Sequence, residues 1–410
     1  MWGVDSVDLS TIDLYDADAY ADGVPHDWFA ELRRTAPVFR QELEDGRVFW
    51  NVTRHADLVA VNRDAATYSS WRATALTTKG VEEMLDEQRM MMLNMDPPEH
   101  TKLRKIVNKG FTPATIRALQ DHLASEAEAI VAAAVEAGDI EFVEQVACEL
   151  PLIAIAEFLG VPREDRRIIF DLSNKMVGSE DPDYYVEEGE ALAAMMEMYA
   201  YAQQLAEERK ANPRDDIVSK LLVAEVDGER LSVEEFNVFF LMLAVAGNET
   251  TRNAISHGML ALLEHPGEQQ KLRDDPALMD LAIEEILRYG SPVMHFRRQT
   301  TRPVTIAGVD IDEDEAVVFW HMSANRDETM FDDPMAFRVD RDPNLHTGHV
   351  AFGGGGPHFC LGANLARAEM KVIFTELLRQ ATWEQREPAR RLRSNFLNGI
   401  KDLQVTLTPR

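Results

Sequence analysis

The sequence predicts a mainly α fold with small β-sheets (α+β), carried as a single domain over residues 1–410. Three observations lead there. Apolar residues recur at steps of three and four through most of the chain, whereas the segments that read as strands are few and short. No Ser/Gly/Pro-rich linker, low-complexity tract or internal repeat divides the 410 residues. A hydrophobic share of 45% is ample for one large core.

Residues 38–53 read as a hairpin, with Val38-Phe39-Arg40, a turn at Glu44-Asp45-Gly46, and a return through Arg47 to Val52. Residues 70–95 are less regular and hold three consecutive methionines, Met90 to Met92. Such flexible thioethers suit an adaptable apolar pocket and a core equally well. From Ala114 to Ala134, Ile116, Leu119, Leu123, Ala127 and Ile130 mark one face of a helix. Helical patterns recur at 147–159, 163–176 and 189–210, broken near Pro162 and at Asp181-Pro182.

The longest helix opens at Ser232-Val233-Glu234-Glu235, a capping-box pattern, and Pro266 stops it. Its length of about 48 Å, at ~1.5 Å per residue, spans a whole domain. Asp275-Pro276 caps the next helix, with proline at its first position. Short strands follow at 304–306 and 316–320.

The formal net charge is −29, from 42 basic and 71 acidic residues, which argues against nucleic acid as a partner. Against that background the basic group Lys102, Arg104, Lys105 and Lys109, together with Arg367, stands out. Cys148 and Cys360 are the two cysteines, so no disulfide framework exists and a reducing compartment is expected. Cys148 lies in an apolar stretch and reads as a small core residue. The segment Met1-Trp2-Gly3-Val4-Asp5 is acidic and lacks an apolar run, which predicts neither a signal peptide nor a membrane anchor. The expected location is cytoplasmic.

Three motifs carry the chemistry. Cys360 ends the loop Phe352-Gly353-Gly354-Gly355-Gly356-Pro357-His358-Phe359, just before a helical run from Ala363. Glycines there permit positive φ and close approach to a flat ligand. The helix start supplies N–H groups and a partial positive charge that favour a thiolate. A P-loop is excluded, because no Gly-Lys-Ser/Thr follows. Within the long helix, Ala246-Gly247-Asn248-Glu249-Thr250-Thr251 interrupts an apolar run; the Thr250 hydroxyl can turn to a carbonyl one turn back. Glu285 and Arg288, at i and i+3, can pair on a later helix.

In that order, these motifs resemble the cytochrome P-450 superfamily of haem-thiolate monooxygenases, and the resemblance covers essentially the whole chain. It implies a haem b held between the long central helix and the helix after the cysteine loop, with Cys360 as the axial thiolate. Gly247 leaves room for a ligand, and Glu249 and Thr250 supply and relay protons. The family more often has Asp where Glu249 stands.

Asp96 to Arg104 matches the propionate-binding helix, giving His100 and Arg104. Arg298 and His358 fill the other familiar positions, with Arg298 preferred to Arg297 from its distance to the turn at Ala307-Gly308. Phe352 is expected to pack near the thiolate. The usual third partner of the Glu285–Arg288 pair is an Arg just before a Phe, and Ala336 stands at that place.

The implied reaction inserts one oxygen atom from dioxygen into a C–H bond, with electrons from a ferredoxin and its reductase docking near the basic group. A peroxide-driven peroxygenase and a non-catalytic haem-thiolate sensor or carrier are the alternatives; neither needs the Glu249-Thr250 pair that this chain keeps. The cysteine loop, Met92 to Asp96 and Ser394 to Ile400 look like bacterial members acting on sterol side chains, branched lipids or terpenoids. Expected pocket walls are the 71–93 loop with Met92, then Phe239, Leu243, Val245, Ala246, Val293, Met294, His295, Phe296 and Leu397.

Overall fold

A computed structural model describes residues 7–76, 89–109, 111–177, 181–184, 189–214, 216–225, 228, 230–342 and 348–410. Helices dominate, as the periodicity predicts. The central helix, Val233–Glu264, begins with the expected capping box: the Glu235 N–H donates to Ser232 Oγ at 3.1 Å, and the Ser232 N–H donates to Glu235 Oε2 at 2.7 Å. It packs against helices Glu149–Leu159, Glu190–Ala211 and Met279–Gly290, and its middle and C-terminal portions are largely buried. Helix Ala363–Gln380, which follows the cysteine loop, lies along Pro113–Ala137 and also meets the central helix.

A five-stranded sheet runs in the order Val38–Glu42, Val48–Val52, Ala316–Trp320, His295–Thr300, Tyr68–Ser69. The hairpin expected at 38–53 forms its outer pair, with Gly46 at φ +84° in the turn. Val48–Val52 pairs in parallel with Ala316–Trp320, and every other junction is antiparallel. A three-stranded sheet of Asp139–Glu141, Gln404–Pro409 and Ala381–Gln385 closes the C-terminal part.

The short helix His55–Arg63 and this C-terminal sheet lie outside the sequence-based expectations. Of the expected 71–93 loop, residues 77–88 fall outside the described residues. No helix among the described residues is long and apolar enough to cross a membrane.

Candidate active site

The cysteine loop is closed by the Cys360 N–H, which donates to the Phe352 carbonyl at 3.0 Å. Gly353, Gly355 and Gly356 adopt φ of +86°, +94° and +81°, a region costly for any side chain. What three of the glycines make room for is the helix His55–Arg63. A Cβ on Gly356 would lie 2.5 Å from the Asn62 carbonyl, one on Gly355 2.9 Å from Arg63 Nε, and one on Gly354 2.8 Å from Val59 Cγ2. Asn62 Nδ2 and Arg63 Nε then donate to the carbonyls of Gly355 and Gly354 at 2.8 and 2.9 Å.

Cys360 is half-buried at the loop's end. Burial pushes its thiol up; the N–H groups of Gly362 and Ala363 and the charges of Arg104 and Arg367 oppose this without fully offsetting it. An iron cation bound there would add to the groups that favour the anionic sulfur.

Beside the loop, His100, Arg104, Arg298 and His358 gather into one cluster. The His100 and His358 rings stand 4.2 Å apart, centroid to centroid. Burial and neighbouring arginines drive His100 down to about 4, while burial together with Arg298, His100 and Arg104 drives His358 down to about 2. Arg104 donates to the Phe359 carbonyl at 2.7 Å. Arg298 is 2% exposed, reaches Asn62 Oδ1 at 3.2 Å, and is pulled down to about 10 by burial. Its neighbour Arg297 lies over the Phe49 ring instead.

Asp96 acts on His100 and Arg298, but its oxygens already accept from Ser69 Oγ and the Ser70 N–H. Both ring nitrogens of His100 are buried without a partner. A cluster of donors, two of them buried and two half-buried, with so little internal counter-charge fits the carboxylates of an anionic cofactor such as haem.

On the central helix, Thr250 Oγ donates to the Ala246 carbonyl at 2.8 Å, the bond to the preceding turn expected from sequence. Ala246 is exposed and Thr250 half-buried, so this stretch of a mostly buried helix borders an opening. Gly247 serves helix packing: a Cβ there would meet Ile155 Cδ1 at 2.8 Å.

Glu249 lies about 100° round the helix from Thr250. Its Oε2 pairs with Arg252, whose Nη1 reaches Asn174 Oδ1 at 3.5 Å and Cys148 Sγ at 3.9 Å. Its Oε1 is buried without a partner, and burial raises the carboxyl above its ordinary range although Arg252 pulls the other way. Arg252, three residues on, is the member of this site that motif reading missed; its i, i+3 spacing from Glu249 is the signal that could have found it.

Of the expected pocket walls, Ala246 is exposed, and Val245, Val293 and Phe296 are half-buried. Leu243 and Leu397 are more deeply set, and Leu397 forms an antiparallel bridge with Val293. Met92, Phe239 and Leu243 pack in the main core, and Met294 packs in a second core with Phe49 and Trp320. His295 is fully buried and accepts from the Leu76 N–H at Nε2 (3.0 Å), while Nδ1 meets the Asn395 carbonyl at 3.1 Å. With both nitrogens engaged it has no donor or acceptor left for a ligand. Consecutive residues of an extended segment point to opposite sides, so a run of four cannot all face one opening.

The Glu285–Arg288 pair is buried and bonded twice, at 2.7 and 2.8 Å. The third partner missing at Ala336 is Arg341, whose Nε reaches both Glu285 oxygens at 2.9 and 3.0 Å. Ala336 contributes its carbonyl, which accepts from Arg288 at 3.0 Å. Nearby, Arg367 is bound to Glu284 and lies over the Phe352 ring at 4.5 Å, so its charge is engaged inside the fold. Burial works against the Glu284 carboxylate, yet Arg367 and His349 hold it down to about 2.

The cytochrome P450 family model matches residues 187–407. A steroid C26-monooxygenase of Rhodococcus jostii is 44% identical over 405 residues, covering 96% of this chain and 84% of that protein. A methyl-branched lipid omega-hydroxylase of Mycobacterium bovis is 39% identical, covering 98% and 94%. A Mycobacterium marinum cytochrome P450 solved in complex with pseudoionone superposes with a TM-score of 0.90 at 37% identity, covering 99% of this chain and 100% of that one. With the thiol loop, the cation cluster and the central helix in place, these likenesses show a haem-thiolate monooxygenase, and the chain belongs to the cytochrome P450 family.

Proposed function

We propose that this monooxygenase hydroxylates an aliphatic carbon of a steroid side chain, a methyl-branched lipid or a terpenoid, with electrons delivered by a ferredoxin. The single observation that carries the substrate class is its 44% and 39% identity, over nearly the whole chain, to a steroid C26-monooxygenase and a methyl-branched lipid omega-hydroxylase. Apolar character at Val245 and the exposed Ala246, one turn before Thr250, and at the bridged pair Val293 and Leu397 is in keeping with such a substrate. Affinity then rises with apolar area removed from water, at roughly 25 cal/mol per Å².

The haem, when bound through Cys360, supplies the oxidising chemistry. His100, Arg104, Arg298 and His358 orient it by its carboxylates. Thr250 holds a hydroxyl proton at the opening, and Glu249, with a raised pKa and one free oxygen, supplies protons from behind it. Lys102 and Lys105 are exposed on the helix that carries Arg104, where a positive face on an acidic protein steers an acidic electron carrier. The retained Glu249 and Thr250 favour dioxygen over peroxide as the oxidant.

A spectral titration of the ferric protein tests the substrate class. Sterols and long terpenoids should displace water from the iron and shift the Soret band, whereas small polar aromatics should not. The reverse ranking would sink the substrate assignment and leave the monooxygenase intact.

A further inference from the structure

Two neighbouring carboxylates of helix Met279–Gly290 serve different parts of the fold. Glu285 closes on Arg288 and Arg341, whereas Glu284 reaches the cysteine loop and the helix that follows it. Arg367, one turn into helix Ala363–Gln380, donates to both Glu284 oxygens, Nε to Oε1 at 2.5 Å and Nη2 to Oε2 at 2.8 Å. Such a fork fixes a guanidinium in both place and plane. His349 holds the same carboxylate from the loop side. The Ala351 N–H donates to its Nδ1 at 3.2 Å, which leaves the ring proton on Nε2 to be donated to Glu284 Oε2 at 2.7 Å.

Both partners of Glu284 lie against Phe352. The Arg367 guanidinium stands 4.5 Å from the centre of its ring, and the His349 ring 6.1 Å from it. The Phe352 carbonyl in turn accepts the Cys360 N–H at 3.0 Å. Arg367 is thus held one residue away from the thiol, and its charge acts on Cys360. Its side chain remains 33% exposed. Apart from Glu284 it has only the face of Phe352 and a long 3.5 Å contact with the Ala363 carbonyl to keep it from turning into water. A cation released into water is screened, whereas one pinned against the loop acts through a lower dielectric.

We propose that Glu284 is a positioning residue: by fixing Arg367 beside the cysteine loop, it raises the reduction potential of the haem that Cys360 holds. One added electron makes that site one charge more negative, and a fixed cation nearby favours the more negative state. Glu284 pairs with Arg367 and His349, not with Cys360, so its effect passes through Arg367. The inference needs the haem-thiolate assignment, but neither the substrate class nor the natural electron donor.

Equilibrium titration of the substrate-free, haem-loaded protein with dithionite and mediator dyes tests it; dithionite is oxidised as the ferric haem takes up one electron. Arg367→Gln should make reduction about tenfold less favourable, a fall of about 59 mV for one electron. Glu284→Ala should lower the midpoint too, by about three- to tenfold in the same equilibrium, although it removes a negative charge whose direct effect is the opposite. The double variant should fall no further than Arg367→Gln alone, because Glu284 then has no Arg367 to place. Arg379→Gln, which removes an exposed cation at the far end of the same helix, should leave the midpoint unchanged.

A midpoint that rises or holds in Glu284→Ala, with the red-shifted carbon monoxide band intact, overturns the proposal. If that variant fails to hold haem, Arg367→Lys decides. Lysine keeps the charge but cannot make the fork on Glu284 or lie flat on Phe352, so the midpoint should still fall, by about threefold in the equilibrium. A parental midpoint in Arg367→Lys would show that placement is immaterial and overturns the proposal equally.

Discussion

Two arginine clusters share this fold and are built on opposite terms. Arg288 and Arg341 close on Glu285, and their remaining donors meet the carbonyls of Asn325, Pro334, Asp332, Asp333 and Ala336. Every charge there is answered from within the chain. In the second cluster His100 and Arg298 are buried with Arg104 and His358 half-buried beside them, yet the arginines depress the histidines' affinity for protons and both nitrogens of His100 stay unmatched. A polar cluster satisfied by its own chain is architecture, whereas one left short of negative charge is a receptor.

Four changes would break or sharpen that contrast. The largest effect is expected at Cys360, which the receptor cluster serves: Cys360→Ser should abolish the red-shifted carbon monoxide band and monooxygenase turnover together, and retention of the band would disprove the ligand assignment. Next, Arg341→Leu should destabilise the protein by about 3–5 kcal/mol, because Glu285 loses a partner while buried. Chemical unfolding of the haem-free chain reads this directly, and a change under about 1 kcal/mol would mean that Arg341 is dispensable to the network.

Arg298→Leu should do the reverse. The haem-free chain should unfold at the same or higher denaturant concentration, since an underpaired buried charge is gone, while haem transfer to apomyoglobin accelerates about ten- to hundredfold. Equal haem retention would remove Arg298 from the receptor.

The smallest effect concerns the neutral struts. Burial lowers His295 from 6.5 to about 3 and His257 likewise to about 3, so the unfolded chain takes up protons before the folded one does. Stability present above pH 6.5 is therefore lost as pH falls towards 3, by about 1.4 kcal/mol per pH unit for each strut. His295→Asn should flatten that slope by one such increment; an unchanged slope would show that His295 is already charged.

How much of this was legible in the sequence depends on whether the information is local. The capping box at Ser232, the stop at Pro266 and the Thr250 hydroxyl bond each depend on residues within one helical turn, and each reads directly. The Glu285–Arg288 pair reads for the same reason. Arg341 does not, because its place beside Glu285 is set by the path of residues 332–341, where carbonyl directions follow no period. Glycines 354–356 were legible as conformationally special, but not as seats for the helix His55–Arg63, some 290 residues away. Pocket walls are the hardest part to read. Met92, Phe239 and Met294 are apolar in a core for the same reason that they would be apolar in a pocket.

The parallel pairing of Val48–Val52 with Ala316–Trp320 bears on how the chain is made. Asn51 waits for Trp320, 269 residues later, to supply the indole N–H that its side chain accepts. At a synthesis rate of about 5–20 residues per second, that wait is roughly 13–54 s. Throughout it the N-terminal hairpin emerges with one edge unmatched, while helices Glu149–Leu159 and Glu190–Ala211 already have the central helix to pack against. The first strands made are thus among the last to be secured. A nascent chain halted before residue 316 should leave the 38–52 hairpin open to proteolysis although its helices already resist it.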